Sequence, residues 1–181
     1  GGRDAMRRLI ATADVFVENY RPGAFDALGL GYAEMAKLNP KLIYCSISAF
    51  GATGPRREQT GYDNVIQAFS GMMDLTGHGD DRPLKSGAPA VDYATGMTAA
   101  FAISAALFQR ATTGTGQFID VSMLEVALTL LTSHATDYLW SDKHPKAKGN
   151  RFSFATLGMY RAADTDLMIA ASNLRQQRRL W

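Results

Sequence analysis

The chain has one cysteine, three histidines and almost no net charge. Each scarcity excludes something. Cys45 lies in the apolar run Leu42-Ile43-Tyr44-Cys45-Ser46-Ile47 and reads as a small buried residue in a reduced compartment. His78, His134 and His144 are far apart and lack the spacing of metal ligands, so no metal is expected. A net charge of +2 is too small to argue for a nucleic-acid partner. There are no internal repeats and no low-complexity tract. No secretory leader is in view, since Gly1-Gly2-Arg3-Asp4 opens directly into a helix-like segment, and the expected location is the cytoplasm. The one long uncharged run, 94–108, is shorter than the roughly 20 residues of a membrane span, and Asp92 and Arg110 bracket it. A helix crowded between other elements is expected there instead, and no membrane contact.

What is present is ordinary globular composition. The 181 residues are 46% hydrophobic and 20% charged, enough for one domain or part of one. Residues 4–13 have the spacing of an amphipathic helix, and 14–18 are a short apolar burst that predicts a strand. Asn19-Tyr20-Arg21-Pro22-Gly23 is a turn, 24–28 a single helical turn, and 32–38 a helix stopped by Asn39-Pro40. Residues 42–47 are nearly continuous in apolar side chains, as in a strand covered on both faces. A polar loop over 50–61, a helix over 62–69 and a charged turn over 77–85 follow. Pro89 precedes a helix that begins near Asp92, and Thr113-Gly114-Thr115-Gly116 ends it before a strand at 117–121. Ser122 is placed to cap one helix from Met123 to about Trp140, with Glu125 in its first turn. An exposed linker, strands at 157–160 and 167–170, and the beginning of a helix complete the chain. Strand, helix and strand again predict an α/β fold with a Rossmann-like parallel sheet and flanking helices.

Asp92 has two readings. Its carboxylate can cap the helix by accepting from the first free N–H groups. The same N–H groups and the helix dipole can also hold it ionised as a nucleophile that accepts an acyl group. Asp63 is either a second carboxylate near Asp92 or the cap of its own helix. Arg56, Arg57 and Lys85 are phosphate contacts or solvated loop cations. Met72, Met73 and Met97 are expected in the core, and His78 is expected at the surface.

Four runs occur in order: Glu18-Asn19-Tyr20-Arg21-Pro22-Gly23; Gly61-Tyr62-Asp63-Asn64; Asp92-Tyr93-Ala94-Thr95-Gly96-Met97; and Gly114-Thr115-Gly116-Gln117-Phe118-Ile119-Asp120-Val121-Ser122-Met123. Together they resemble the class III CoA-transferases, the family of formyl-CoA transferase and carnitine CoA-transferase, whose fold the α-methylacyl-CoA racemases share. The resemblance continues through Gly158-Met159-Tyr160-Arg161. It implies a CoA-transferase that moves CoA from an acyl-CoA donor to a carboxylic acid. Asp92 would be the nucleophile, passing through an aspartyl anhydride and an aspartyl-CoA thioester. Coenzyme A is then a substrate, and Asn19, Tyr20, Arg21, Ala27, Thr60, Gly61, Tyr62 and Asp63 fall at CoA-contacting positions. Arg21 suits a phosphate, and Asn19 and Tyr20 either hold the adenine or simply form the turn.

The resemblance also implies a division: 1–140 in the large Rossmann-like CoA-binding domain, 141–156 as linker, and 157–181 as the start of a smaller second domain. The abrupt ends make a fragment of a longer protein the expectation, and the resemblance implies an interlocked homodimer for the whole. Two departures bear on function. Tyr62 stands where the racemases have a His; with a reference pKa of about 10 it is a poor base near neutrality, which favours transfer. Thr60 and Ala27 stand where formyl-CoA transferase has Lys and Arg, which points away from formate and oxalate. The alternatives are a 2-methylacyl-CoA isomerase and a non-catalytic acyl-CoA-binding fragment.

Overall fold

The computed structural model describes residues 1–79, 82–152, 154 and 156–181. Asp80 and Asp81 of the expected charged turn, and Ser153 and Ala155 of the expected linker, lie outside the described residues. The chain runs α1 (Gly2–Thr12), β1 (Val15–Glu18), α2 (Ala24–Ala27), α3 (Tyr32–Leu38), β2 (Ile43–Ser48) and α4 (Asp63–Phe69). A single 3-10 turn at Met72–Leu75 precedes α5 (Ala90–Thr113), β3 (Gln117–Ser122), α6 (Met123–Leu130) and α7 (Thr132–Ser141). The hairpin β4 (Leu157–Arg161) and β5 (Asp166–Ala170) and then α8 (Leu174–Leu180) follow. β1, β2 and β3 form a parallel sheet in that order, with Val15 opposite Ile43 and Ile43 opposite Gln117. β4 and β5 pair antiparallel as a separate two-stranded sheet.

β2 is the central strand, and its alternation divides the core. Tyr44 packs with Ile10, Leu30, Met35 and Leu42 beneath α1 and α3. Its neighbour Cys45 points the other way, joining Ala99, Val121 and Val126 beneath α5 and α6. Burial, with the charges of Glu18 and Asp120 as lesser causes, pushes the Cys45 thiol up to about 11, so it is an inert apolar filler. A third cluster, Ala49, Ile66, Val91, Met123 and Ala127, closes the end of the sheet where β2 finishes.

The Gly114-Thr115-Gly116 run has structural causes at both glycines. Gly114 takes a left-handed φ of 73° and ends α5, its N–H bonding to the Arg110 carbonyl. A Cβ on Gly116 would lie 2.0 Å from the Leu42 carbonyl oxygen, so only glycine lets β3 enter the sheet there. Arg110 fixes the same end: it bonds the Lys41 carbonyl at 2.8 Å and pairs with Asp14 at 2.7 Å.

α5 packs against β2, β3, α4 and α6, as expected of a helix between other elements, and three other expectations are corrected. The helix buries only the stripe Val91, Thr95, Ala99 and Ala106, whose small side chains let it lie close on the sheet. Tyr93, Phe101 and Phe108 point outward, and so does Met97, 70% exposed rather than in the core. At 24 residues α5 is also long and apolar enough to cross a membrane, which the shorter 94–108 run did not suggest. Finally, the helix after Ser122 breaks at Leu131. Thr129 and Thr132 there bond back to the Glu125 and Thr129 carbonyls, competing with the helical ladder. The Ser122 cap itself is present, accepting from Glu125 N at 3.3 Å.

Candidate active site

All three parallel strands end on the same side, and the chain that leaves them builds a cleft of about 430 Å³. This is the side of an open parallel sheet on which ligands bind. From β1 come Asn19, Tyr20, Arg21 and Pro22; from β2 come Ser48 and Ala49. The following loop returns with Gln59, Thr60, Gly61 and Tyr62, α5 contributes Asp92, Thr95 and Gly96, and Met123 opens α6. The loop is pinned where Ala52 N donates to Asp120 Oδ2 at 2.8 Å. Tyr20 is held by an edge contact with Phe25, ring centroids 5.2 Å apart, and its N–H donates to Glu18 Oε2.

Asp92 is the third residue of α5, not its cap. The helix starts at Ala90 after Pro89, and the capping carboxylate comes from a distant position. Asp63 Oδ2 accepts from Val91 N at 2.8 Å and from Asp92 N at 3.1 Å. Its Oδ1 accepts from Nε2 of Gln67, which is fully buried. Gln67 Nε2 also reaches Ser86 Oγ, and Gln67 Oε1 accepts from Ser86 N at 2.9 Å. Asp63 is therefore the second carboxylate beside Asp92; it does not cap its own helix, as the other expectation had it, but caps α5. Asp92 is left without a capping duty. Asp92 is itself exposed at the cleft, and partial desolvation there, then the charge of Asp63, push its carboxyl above the ordinary carboxylate value.

A smaller cavity of about 280 Å³ lies across Asp92, lined also by Tyr62, Asp63, Asn64 and Lys85 to Pro89. Asp92 and Tyr62 belong to the walls of both spaces. Of the expected contacts, Asn19, Tyr20, Arg21, Thr60, Gly61, Tyr62 and Asp92 converge on the larger cleft, and Asp63 on the smaller. Ala27 does neither: it is exposed on α2 and lines neither of these two spaces. Arg56 lies over the Phe69 ring at 4.5 Å and Arg57 pairs with Glu58, so neither turns into the cleft. His78 is exposed, as expected. Sequence reasoning missed Ser48, Ala49, Thr95 and Met123 in the cleft wall, and Gln67 behind it. Their one sequence signal was position, at strand ends and at helical spacing from Asp63 or Asp92.

The family model for CoA-transferase family III matches residues 1–181. The chain belongs to that family. It is 40% identical to a succinate–glutarate CoA-transferase of Agrobacterium fabrum over 97% of this chain and 44% of that protein. It is 41% identical to succinyl-CoA:glutarate CoA-transferase of Mus musculus over 94% of this chain and 39% of that protein. Among solved structures, a CAIB/BAIF family protein from Brucella suis superposes with a TM-score of 0.90 at 43% identity, over 99% of this chain and 48% of that one. The chain spans less than half the length of these relatives. The family III match and the parallel sheet agree with the resemblance drawn from the four motifs.

Proposed function

We propose that the protein carrying this chain transfers coenzyme A from an acyl-CoA to a carboxylic acid, with Asp92 as nucleophile. The observation that carries the reading is the Asp92 carboxyl itself. It lies in the wall of the cleft built from the Asn19–Pro22 turn and Thr60-Gly61-Tyr62, and Asp63 has taken over its capping role.

In the first step an Asp92 oxygen attacks the thioester carbonyl; the C–S bond breaks, leaving a mixed anhydride and CoA thiolate. The thiolate attacks the aspartyl carbonyl, releasing the donor acid as its carboxylate and forming an aspartyl-CoA thioester. The acceptor carboxylate attacks that thioester, giving a second anhydride and thiolate. Attack of the thiolate on the acceptor's acyl carbonyl yields the new acyl-CoA and frees Asp92. A carboxylate suits this work because it is ionised near neutrality, with a reference pKa of about 3.9.

Arg21 is suited to a CoA phosphate, and Asn19 and Tyr20 to the adenine. Tyr62 stands at the cleft where the racemase resemblance would call for a His, which argues against isomerisation. Relatives named for succinate and glutarate support a short dicarboxylic acid as one substrate. We further propose residues 1–140 as part of the CoA-binding domain and an interlocked homodimer for the intact protein. The test is incubation of the intact protein with succinyl-CoA and a panel of carboxylates, with mass analysis of the CoA products. New acyl-CoA masses matching the added acids are expected. Release of free CoA alone, or epimerisation of a 2-methylacyl-CoA without exchange, overturns the reading.

A further inference from the structure

We propose that the smaller cavity across Asp92 receives the carbon chain of a dicarboxylic substrate, and that the Lys85 ammonium pairs with its distal carboxylate. The proposal rests on the CoA-transfer reading of the larger cleft and adds where the dicarboxylic chain lies and the residue that selects it. A thioester attacked by Asp92 has two sides. If the thiol side lies in the larger cleft toward the Asn19–Pro22 turn, the acyl chain must leave Asp92 in another direction. The wall shared by Asp92 and Tyr62 also borders the cavity of about 280 Å³. Its volume equals that of about nine liquid water molecules, ample for a five-carbon chain. Gly87, Ala88 and Pro89 give it a small, apolar wall for methylene groups.

Charge fixes which chain fits. Lys85 is the one cation in that wall among the described residues, and it pairs with no carboxylate there. Its Nζ makes only a long contact of 3.4 Å to the Ser86 carbonyl. Two carboxylates share the wall, yet neither opposes an incoming diacid at the step that matters. Asp63 already receives three N–H donors, from Val91, Asp92 and Gln67. Asp92 carries no charge while it is the thioester, which is when the acceptor enters. A diacid then meets the exposed Lys85 ammonium in the cavity wall, whereas a monoacid of the same length leaves it unused. Lys85 is thus a specificity-determining residue and takes no part in bond making.

The test compares glutarate with pentanoate as acceptors in the intact protein, for wild type, Lys85→Met and Lys85→Arg. Losing a charge-assisted hydrogen bond lowers kcat/KM for glutarate by about tenfold to hundredfold in Lys85→Met. The value for pentanoate, and the inhibition constant of free CoA, are expected within about threefold of wild type, the scatter of a surface change. Lys85→Arg, which keeps the cation, retains the preference for glutarate. Equal losses for both acids, or an unchanged glutarate value in Lys85→Met, overturn the role of Lys85 while leaving CoA transfer standing. Absence of transfer to any acid by wild type overturns the reading of the larger cleft, and this inference with it.

Discussion

Asp63 is the residue whose removal tests the architecture of the site most directly. In Asp63→Ala the N–H of Val91, a fully buried residue, loses its partner, and Asp92 N and Gln67 Nε2 lose theirs. A lost helix cap costs about 1 kcal/mol, and an unsatisfied buried donor about 1–3 kcal/mol. The expected loss is therefore about 2–4 kcal/mol. Asp63→Asn keeps one oxygen for the helix but turns an amide toward the Gln67 amide, so about 1–2 kcal/mol is expected. Denaturant titration and thermal melts measure both.

The second readout is the pH profile. Asp92 acts as the carboxylate, so transfer falls on acidification through its raised pKa. Removing the Asp63 charge lowers that pKa and moves the acid limb of kcat/KM to lower pH. The movement is partial, because burial, the larger cause, remains. An Asp63→Ala protein within about 0.5 kcal/mol of wild type refutes the capping role. An acid limb that stays in place or moves upward in Asp63→Asn refutes the coupling to Asp92.

Asp92→Asn is expected to abolish transfer, by about four to six powers of ten, because an amide cannot form the anhydride. Since Asp63 holds the cap, the same variant should melt no lower than wild type. A raised folded pKa contributes stability below the ordinary carboxylate pKa and loses it as pH rises through the folded value, so at neutral pH Asp92 contributes none of it. Hydroxylamine trapping during turnover should label Asp92, and a label on Asp63 instead would reverse the assignment. Arg21→Ala should raise KM for acyl-CoA by one to two powers of ten with a smaller change in kcat, the effect of losing about 1.5–3 kcal/mol of uniform binding; an unchanged KM removes Arg21 from the site. Gly116→Ala should lose about 1–3 kcal/mol or more, because its Cβ would press on the Leu42 carbonyl, and a melt equal to wild type would contradict that contact.

The sequence alone determined the order and type of the elements. Alternation of short apolar runs with helical spacing, punctuated by Pro22, Pro40, Gly114 and Gly116, leaves a parallel α/β sheet as the natural solution. It also marked Asp92, the Asn19–Arg21 turn and the Thr60–Asp63 stretch, because these lie at strand ends and helix starts where local chemistry is legible. Local pattern did not carry what depends on partners far along the chain. It gave no sign that the cap of α5 comes from Asp63, 29 residues before Asp92, through a buried Gln67 that any periodicity assigns to a polar face. It did not show which stripe of α5 meets the sheet, because small and apolar residues continue around that helix. It read one helix beyond Ser122 because helical periodicity continues through Leu131, where threonine hydroxyls compete for the backbone carbonyls. Tertiary structure also decided that one carboxylate borders two cavities, since that follows from bringing the ends of β1, β2 and β3 together with the start of α5.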